Sequence, residues 1–263
     1  MSQPPTDAEP GGAGTRPAPS ADLPVPSVAL AIGAHPDDAE IGAGGTLAKW
    51  AAAGCSVHHL VLTDGSKGSW DPEEDTARLV ALRREEAREA SKQLGGGGAV
   101  TFLAWPDGEL EAGLRQRWEV TACIRRVRPD VVLGHDPWKR YRLHPDHRNA
   151  GYLLIDGVVA ARDPHFFPEL ADPPHRPSAI LLWEADEVNH LEHLERSHLD
   201  AKVNALLAHR SQLHSTMGME DPDDAPARQA FADRVHARAR DSGAPGEAQP
   251  AEAFHLMTES LVI

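Results

Sequence analysis

The chain has 263 residues, of which 41% are hydrophobic, with 26 Lys and Arg against 40 Asp and Glu. That length and apolar fraction suit one sizeable α/β domain, and the net charge of −14 argues against nucleic acid or an anionic membrane face as the main partner, because both reward Lys/Arg clusters. Cys55 and Cys123 are isolated thiols, which speaks for a reducing compartment and against a disulfide framework.

Residues 1–24 are dominated by Pro, Gly, Ala and Ser and read as a flexible N-terminal tail, with 25–263 as a single domain. The start has no apolar h-region and the chain no run of 18 apolar residues, so the expected address is the cytoplasm and no membrane partner is expected. Val28 to Ala34 is a short apolar run that stops abruptly at His35-Pro36-Asp37-Asp38, and a small-residue helix from Gly42 to Ala53 ends at Gly54. A second strand, Val57 to Thr63, runs into Asp64-Gly65. Asp75 to Leu94 has Leu79, Leu82, Ala87, Ala90 and Leu94 near helical spacing, before the break at Gly95 to Gly98. Val100 to Leu103 is a third strand, followed by Pro106-Asp107-Gly108 and a helix over about Leu110 to Val127. Asp130 to Gly134 is a fourth strand, ending at His135-Asp136. His144 to Ala161 is a loop entering a helix, and Ser178 to Trp183 a fifth strand. Helices follow around Asp200 to Leu213, with Leu206, Leu207 and Leu213 as core, and from Pro226 to Arg240. Between them Glu220 to Ala225 reads as a loop, and Glu252 to Met257 is a short last segment. Strands alternating with helices predict an α/β, Rossmann-like fold: a mostly parallel sheet with helices on both faces. Polar clusters fall just after four strands, so one sheet edge would carry one polar pocket.

The block AHPDDAEIGAGG at 34–45 carries the first chemical signal. An imidazole and a carboxylate three positions apart in a turn can face one cation, and the second carboxylate can face a water on it; imidazole with carboxylate suits zinc. The competing reading makes His35 and the Asp pair a helix cap with N-terminal charge. The second signal is HPDHRNAG at 144–151, where His144 and His147 sit on one helical turn. One can be a third ligand while the other reaches a substrate, although HxxH alone is weak among 15 histidines.

Together these blocks resemble the PIG-L/LmbE-like family of zinc-dependent N-deacetylases, the superfamily of the mycothiol- and bacillithiol-pathway amino-sugar deacetylases. The likeness runs from about Val28 to Phe254 and includes TDGSKGS, the Arg83/Glu86/Leu94 spacing, WPDGEL and HDPW. It implies one Zn2+ per chain (with other divalent metals able to take the same ligands) on His35, Asp38 and His147. It further implies Asp37 as general base and His144 as oxyanion stabiliser or acid, with Asp146 as a carboxylate that orients one of the histidines. The implied reaction is hydrolysis of an N-acetyl or other N-acyl group on an amino-sugar-containing small molecule, and relatives often form homo-oligomers. Where many relatives carry an acid after HPDD, this chain has Ala39 and then Glu40.

Other residues divide between roles. Asp64 either bonds sugar hydroxyls or caps a turn, and Asp107 is read as a turn cap. Arg83 and Glu86 form an ion pair or reach the substrate, Tyr141 is a lid residue, and Trp70 and Trp138 stand near enough to stack on a sugar. His58, His59, His190, His193 and His198 are read as surface or supporting histidines. A dinucleotide-binding alternative fails on Gly42-Ala43-Gly44-Gly45, because its fingerprint needs glycine where Leu47 stands. A non-catalytic module of the same fold would be expected to have lost ligands or base, and all are present.

Overall fold

A computed structural model of the protein describes residues 18–219, 221, 223–243 and 249–258. Eight strands form one sheet in the order β1-β7-β8-β6-β5-β2-β3-β4. They are β1 (Ser20–Ala21), β2 (Val28–Gly33), β3 (Ser56–Thr63), β4 (Val100–Trp105), β5 (Val131–His135), β6 (Ala179–Trp183), β7 (His190–His193) and β8 (Ala251–Thr258). All pair in parallel except β8, which lies antiparallel between β6 and β7. The helices are α1 (Asp38–Ala52), α2 (Thr76–Gln93), α3 (Leu114–Val127), α4 (Pro145–Arg162), α5 (Arg196–Ala208) and α6 (Ala225–Ser242).

The period of two in the central strands makes two cores. Ala29 and Ala31 of β2, with Val131 and Leu133 of β5, pack under α1 and α5, while Leu30, Ile32 and Val132 face α3 and α4. Helices therefore cover both faces, as the alternating pattern predicts. Leu206, Leu207 and Leu213 do join a third cluster, with Met217, Met219 and Phe231. Glycines let α1 lie close to its neighbours: a Cβ on Gly42 would stand 2.5 Å from the Trp183 ring, and one on Gly45 2.5 Å from Leu194. The Gly42–Gly45 cluster is thus a packing surface.

Several expectations need correction. The tail ends earlier than residue 24, because Ser20 and Ala21 add an edge strand to β7 and Leu23 packs on the first core; residues 1–17 lie outside the described part. The sequence reading has neither β1 nor β7, and the last segment proves to be an eight-residue strand inside the sheet. The helix expected from Gly42 begins at Asp38, so the second aspartate of the HPDD block belongs to its first turn. Of the loop expected at 220–225, positions 220 and 222 lie outside the described residues, and Asp224 caps α6 through the backbone N–H of Ala227.

Candidate active site

Strands β2, β3, β4 and β5 end on one edge and deliver His35, Asp64, Asp107 and His135 to it. From opposite faces of the sheet, α1 and α4 bring Asp38 and His147 to the same point. His35 Nδ1 lies 3.1 Å from His147 Nε2 and 3.5 Å from Asp38 Oδ2, and His147 Nε2 lies 3.4 Å from Asp38 Oδ1. Four candidate ligand atoms of three residues thus face one small space. Groups able to hold a metal ion also form from His35, His144 and His147, from Asp38, His135 and His147, and from His35, Asp107 and Asp146.

The far side of His35 is clamped by carboxylates. Its Nε2 is 3.2 Å from Asp107 Oδ1 and 3.3 Å from Asp146 Oδ2. Burial pulls the imidazole down, but the contacts with Asp107, Asp146 and Asp38 outweigh it and hold His35 well above its ordinary value. The carboxylates that hold the Nε2 proton would keep it there when a cation displaced the Nδ1 proton, which faces His147 and Asp38. Asp146 is fully buried, and accepts from the backbone N–H of Gly108 at 2.7 Å and of Leu110 at 3.2 Å, so the histidine it orients is His35. Asp107, read from sequence as a turn cap, belongs to the same clamp. Its Oδ2 still caps the loop through the backbone N–H of Lys67.

Asp37 stands at the N-cap position of α1, without a side-chain cap bond, at φ 117°, a backbone conformation strained for any residue with a Cβ. Arg83 braces the turn by donating to the carbonyls of Pro36 and Gly65, both at 2.8 Å, and stands 3.5 Å from the Asp37 carboxylate. Burial pushes the Asp37 carboxyl up to about 6; Arg83 opposes the rise and Asp38 adds to it. Glu86 turns away from Arg83 and accepts from the backbone N–H and hydroxyl of Ser211. Beneath Asp37, buried Glu40 meets His209 at 3.6 Å and His59 at 4.0 Å.

His144 is the N-cap of α4, its Nδ1 accepting from the backbone N–H of Asp146 at 3.3 Å. Burial and the charge on His35 pull it below its ordinary value, so the ring is neutral near pH 7, with its proton on Nε2. Burial pulls His147 down to about 4, with Asp38 opposing and the neighbouring imidazoles contributing. Both rings are in the uncharged form that metal ligation requires.

Of the other expected residues, Asp64 spends Oδ1 on the backbone N–H groups of Ser66 and Asp107, a turn-capping role. Tyr141 is 92% exposed at positive φ, on the loop before α4. Trp70 and Trp138 are exposed as well. His59 and His190 are buried; His190 bonds Ser20 and Glu192 beside the edge strand.

The sequence reading assigns no role to four supports, His135, Trp183, Arg142 and Glu184. Trp183 donates to His135 Nδ1 at 3.0 Å, which leaves the His135 proton on Nε2, 3.1 Å from Asp38 Oδ2. Arg142, held by Glu184 at 2.5 Å, lies 3.3 Å from His147 Nδ1. The HDPW block at a strand end was the available signal for His135, whereas nothing local marks Glu184 or Trp183.

Residues 30–157 match the family model described as PIG-L, GlcNAc-PI de-N-acetylase. The diacetylchitobiose deacetylase of Thermococcus kodakarensis is 37% identical over 188 residues, covering 70% of this chain and 69% of that protein. The 1D-myo-inositol 2-acetamido-2-deoxy-alpha-D-glucopyranoside deacetylase of Geodermatophilus obscurus is 30% identical over 245 residues, covering 81% and 79%. Among solved structures, the N,N'-diacetylchitobiose deacetylase from Pyrococcus horikoshii, complexed with its inhibitor MPG, superposes with a TM-score of 0.77 at 30% identity, over 89% of this chain and 84% of that one. A buried His/Asp group able to hold a metal, on a fold shared with amide-cleaving relatives, places the chain in the PIG-L family of N-deacetylases.

Proposed function

We propose that the protein is a zinc-dependent hydrolase that removes the N-acetyl group of an amino-sugar-containing small molecule, with His35, Asp38 and His147 as the zinc ligands. The observation that carries this reading is the convergence of His35 Nδ1, His147 Nε2 and the Asp38 carboxylate at 3.1–3.5 Å beside buried Asp37. Ligands about 2.1 Å from a tetrahedral zinc stand about 3.4 Å apart, and two imidazoles with one carboxylate are a donor set that catalytic zinc takes. When bound, zinc would lower the pKa of a coordinated water to about 7 and polarise a carbonyl oxygen.

The protein's own groups supply the rest. Asp37, with a carboxyl raised toward neutrality, accepts the proton of the attacking water and returns it to the leaving nitrogen. His144 Nε2–H donates to the acetyl oxygen as it gains negative charge, a contribution of roughly 3 kcal/mol for a single donor. Asp146 and Asp107 keep the His35 ring and its tautomer fixed. Of the three residues expected to meet the substrate, exposed Tyr141 is assigned to the sugar, whereas Arg83 holds the Asp37 turn and Asp64 caps the loop beside it. The substrates in the relatives' names support an N-acetylglucosamine-type ring as the reacting unit.

The test is release of primary amine from a panel of N-acetyl amino-sugar conjugates, with and without a chelator. Chelator-sensitive release restored by zinc is the expected result. Release that persists after full metal removal would overturn the metal assignment, and no release from any conjugate would overturn the substrate class.

A further inference from the structure

Beside the site lies a cavity of about 440 Å3, within the range of about 300–1,000 Å3 typical of small-molecule sites. The first turn of α1 and the start of β8 form one side of it, at Ile41, Gly42 and Ala253. Leu206 of α5 and Phe231 and Val235 of α6 give it apolar walls. None of the expected metal ligands lines it.

Five charged side chains face this chamber: Glu184, Lys202, Arg234, Arg238 and Glu252. Glu252 is taken by Lys202 at 2.6 Å, and Glu184 by Arg142 at 2.5 Å from the catalytic side. Among the described residues, the two α6 guanidiniums are the cations of this chamber without a close carboxylate. Arg234 donates to the carbonyl of Met217 and lies over the Phe231 ring, and Arg238 comes no nearer than 4.0 Å to Glu184. They stand one helical turn apart, where like charges repel, and an anion between them would remove that repulsion. A local cationic pair at the mouth of an apolar chamber, in a chain of net charge −14, is a complementary surface for one class of ligand.

We propose that this chamber is a second ligand site that binds a small amphipathic anion, its apolar body against Leu206, Phe231 and Val235 and its carboxylate or phosphate on Arg234 and Arg238. Glu184 separates this site from the catalytic one, with Arg142 on one oxygen and Arg238 facing the other.

The test is calorimetric titration of the metal-loaded protein with octanoate and octyl phosphate, with octylamine as the cationic control. Saturable one-to-one binding of at least one anion, and none of octylamine, is expected. The double variant Arg234→Ala/Arg238→Ala should weaken that binding at least about tenfold, the loss of charge-assisted hydrogen bonds. Val235→Trp, which fills the chamber, should abolish it. Should Val235→Trp fail to fold, the arginine variant decides, because both arginines are exposed on α6. His147→Ala should leave the binding intact. No saturable binding of either anion, equal binding of octylamine, or affinity untouched by the arginine variant but lost in His147→Ala would each overturn the proposal.

Discussion

Asp37 carries two burdens that separate on mutation. Its carboxylate is the proposed base, while its backbone is held at φ 117° by the turn that Arg83 braces. Replacing it with Ala should lower turnover by about 10²–10⁴-fold, the usual contribution of a general base, with zinc still bound. His147→Ala should lose both metal and turnover. Asp37→Gly should be equally inactive yet more stable than Asp37→Ala by about 1 kcal/mol, because glycine adopts positive φ without the Cβ clash; thermal denaturation of the pair decides. Equal stability of the two would mean that the turn is not strained. His135 makes a different argument. It touches Asp38 from behind, its tautomer set by Trp183, so its contribution passes through the ligand. His135→Ala should weaken metal affinity by about 10–100-fold, the typical cost of losing an outer partner, and turnover should return when zinc is saturating. A loss of turnover that excess zinc does not restore would make His135 a participant in the reaction itself. Ligand and base candidates are legible in the sequence because His-Pro-Asp-Asp and His-Pro-Asp-His are local patterns. Trp183 and Glu184 are not, since their contacts reach back 48 residues to His135 and 42 to Arg142; Asp107 and His135 stand in polar clusters after strands, but their partners do not.

At the scale of elements, the five contiguous strands β6-β5-β2-β3-β4 and the six helices announce themselves through apolar runs and helical periodicity, and the sequence reading locates them within a few residues. The other three strands are less legible. β7 reads His-Leu-Glu-His, with no apolar alternation, and exists because β8 and β1 flank it. Its polar residues are satisfied across the sheet: Glu192 accepts from Lys49 at 2.8 Å and from the backbone N–H of Leu23 at 2.9 Å. β8 hides a second device. Glu252 accepts from the backbone N–H groups of Gly45 and Thr46, from the Thr46 hydroxyl and from Lys202, beside the kink at Ala43 in α1. One buried carboxylate therefore ties β8, α1 and α5 together. Glu252→Ala strands Lys202 and two backbone donors, and should destabilise the protein by about 3–5 kcal/mol, as for a broken buried pair. Glu252→Gln, which keeps an acceptor oxygen, should cost clearly less. Denaturant titration of both variants measures the difference, and near-equal losses would show that charge, not hydrogen bonding, dominates at this junction.

For the whole molecule, the decisive feature is that the expected ligands come from different layers. His35 ends a central strand, Asp38 opens a helix on one face, and His147 sits in the first turn of a helix on the other. A cation held by all three would pin both helical layers to the sheet edge, in a region otherwise crowded with the carboxylates of Asp37, Asp38, Asp107 and Asp146. Metal binding to the native state alone stabilises it by about 2.7 kcal/mol at a concentration 100 times the dissociation constant. In a domain of this size each kcal/mol moves the thermal midpoint by about 2–4 °C. Stripping the metal should therefore lower the midpoint by about 5–10 °C, and zinc should restore it. In His147→Ala the same titration should move the midpoint little, because one helical layer is no longer joined to the ion. Asp37→Ala should keep the full zinc-dependent shift despite its lost turnover. If zinc raised the midpoint of His147→Ala as far as that of the unaltered protein, the ion would be held by other groups, and the cross-link between layers would not exist.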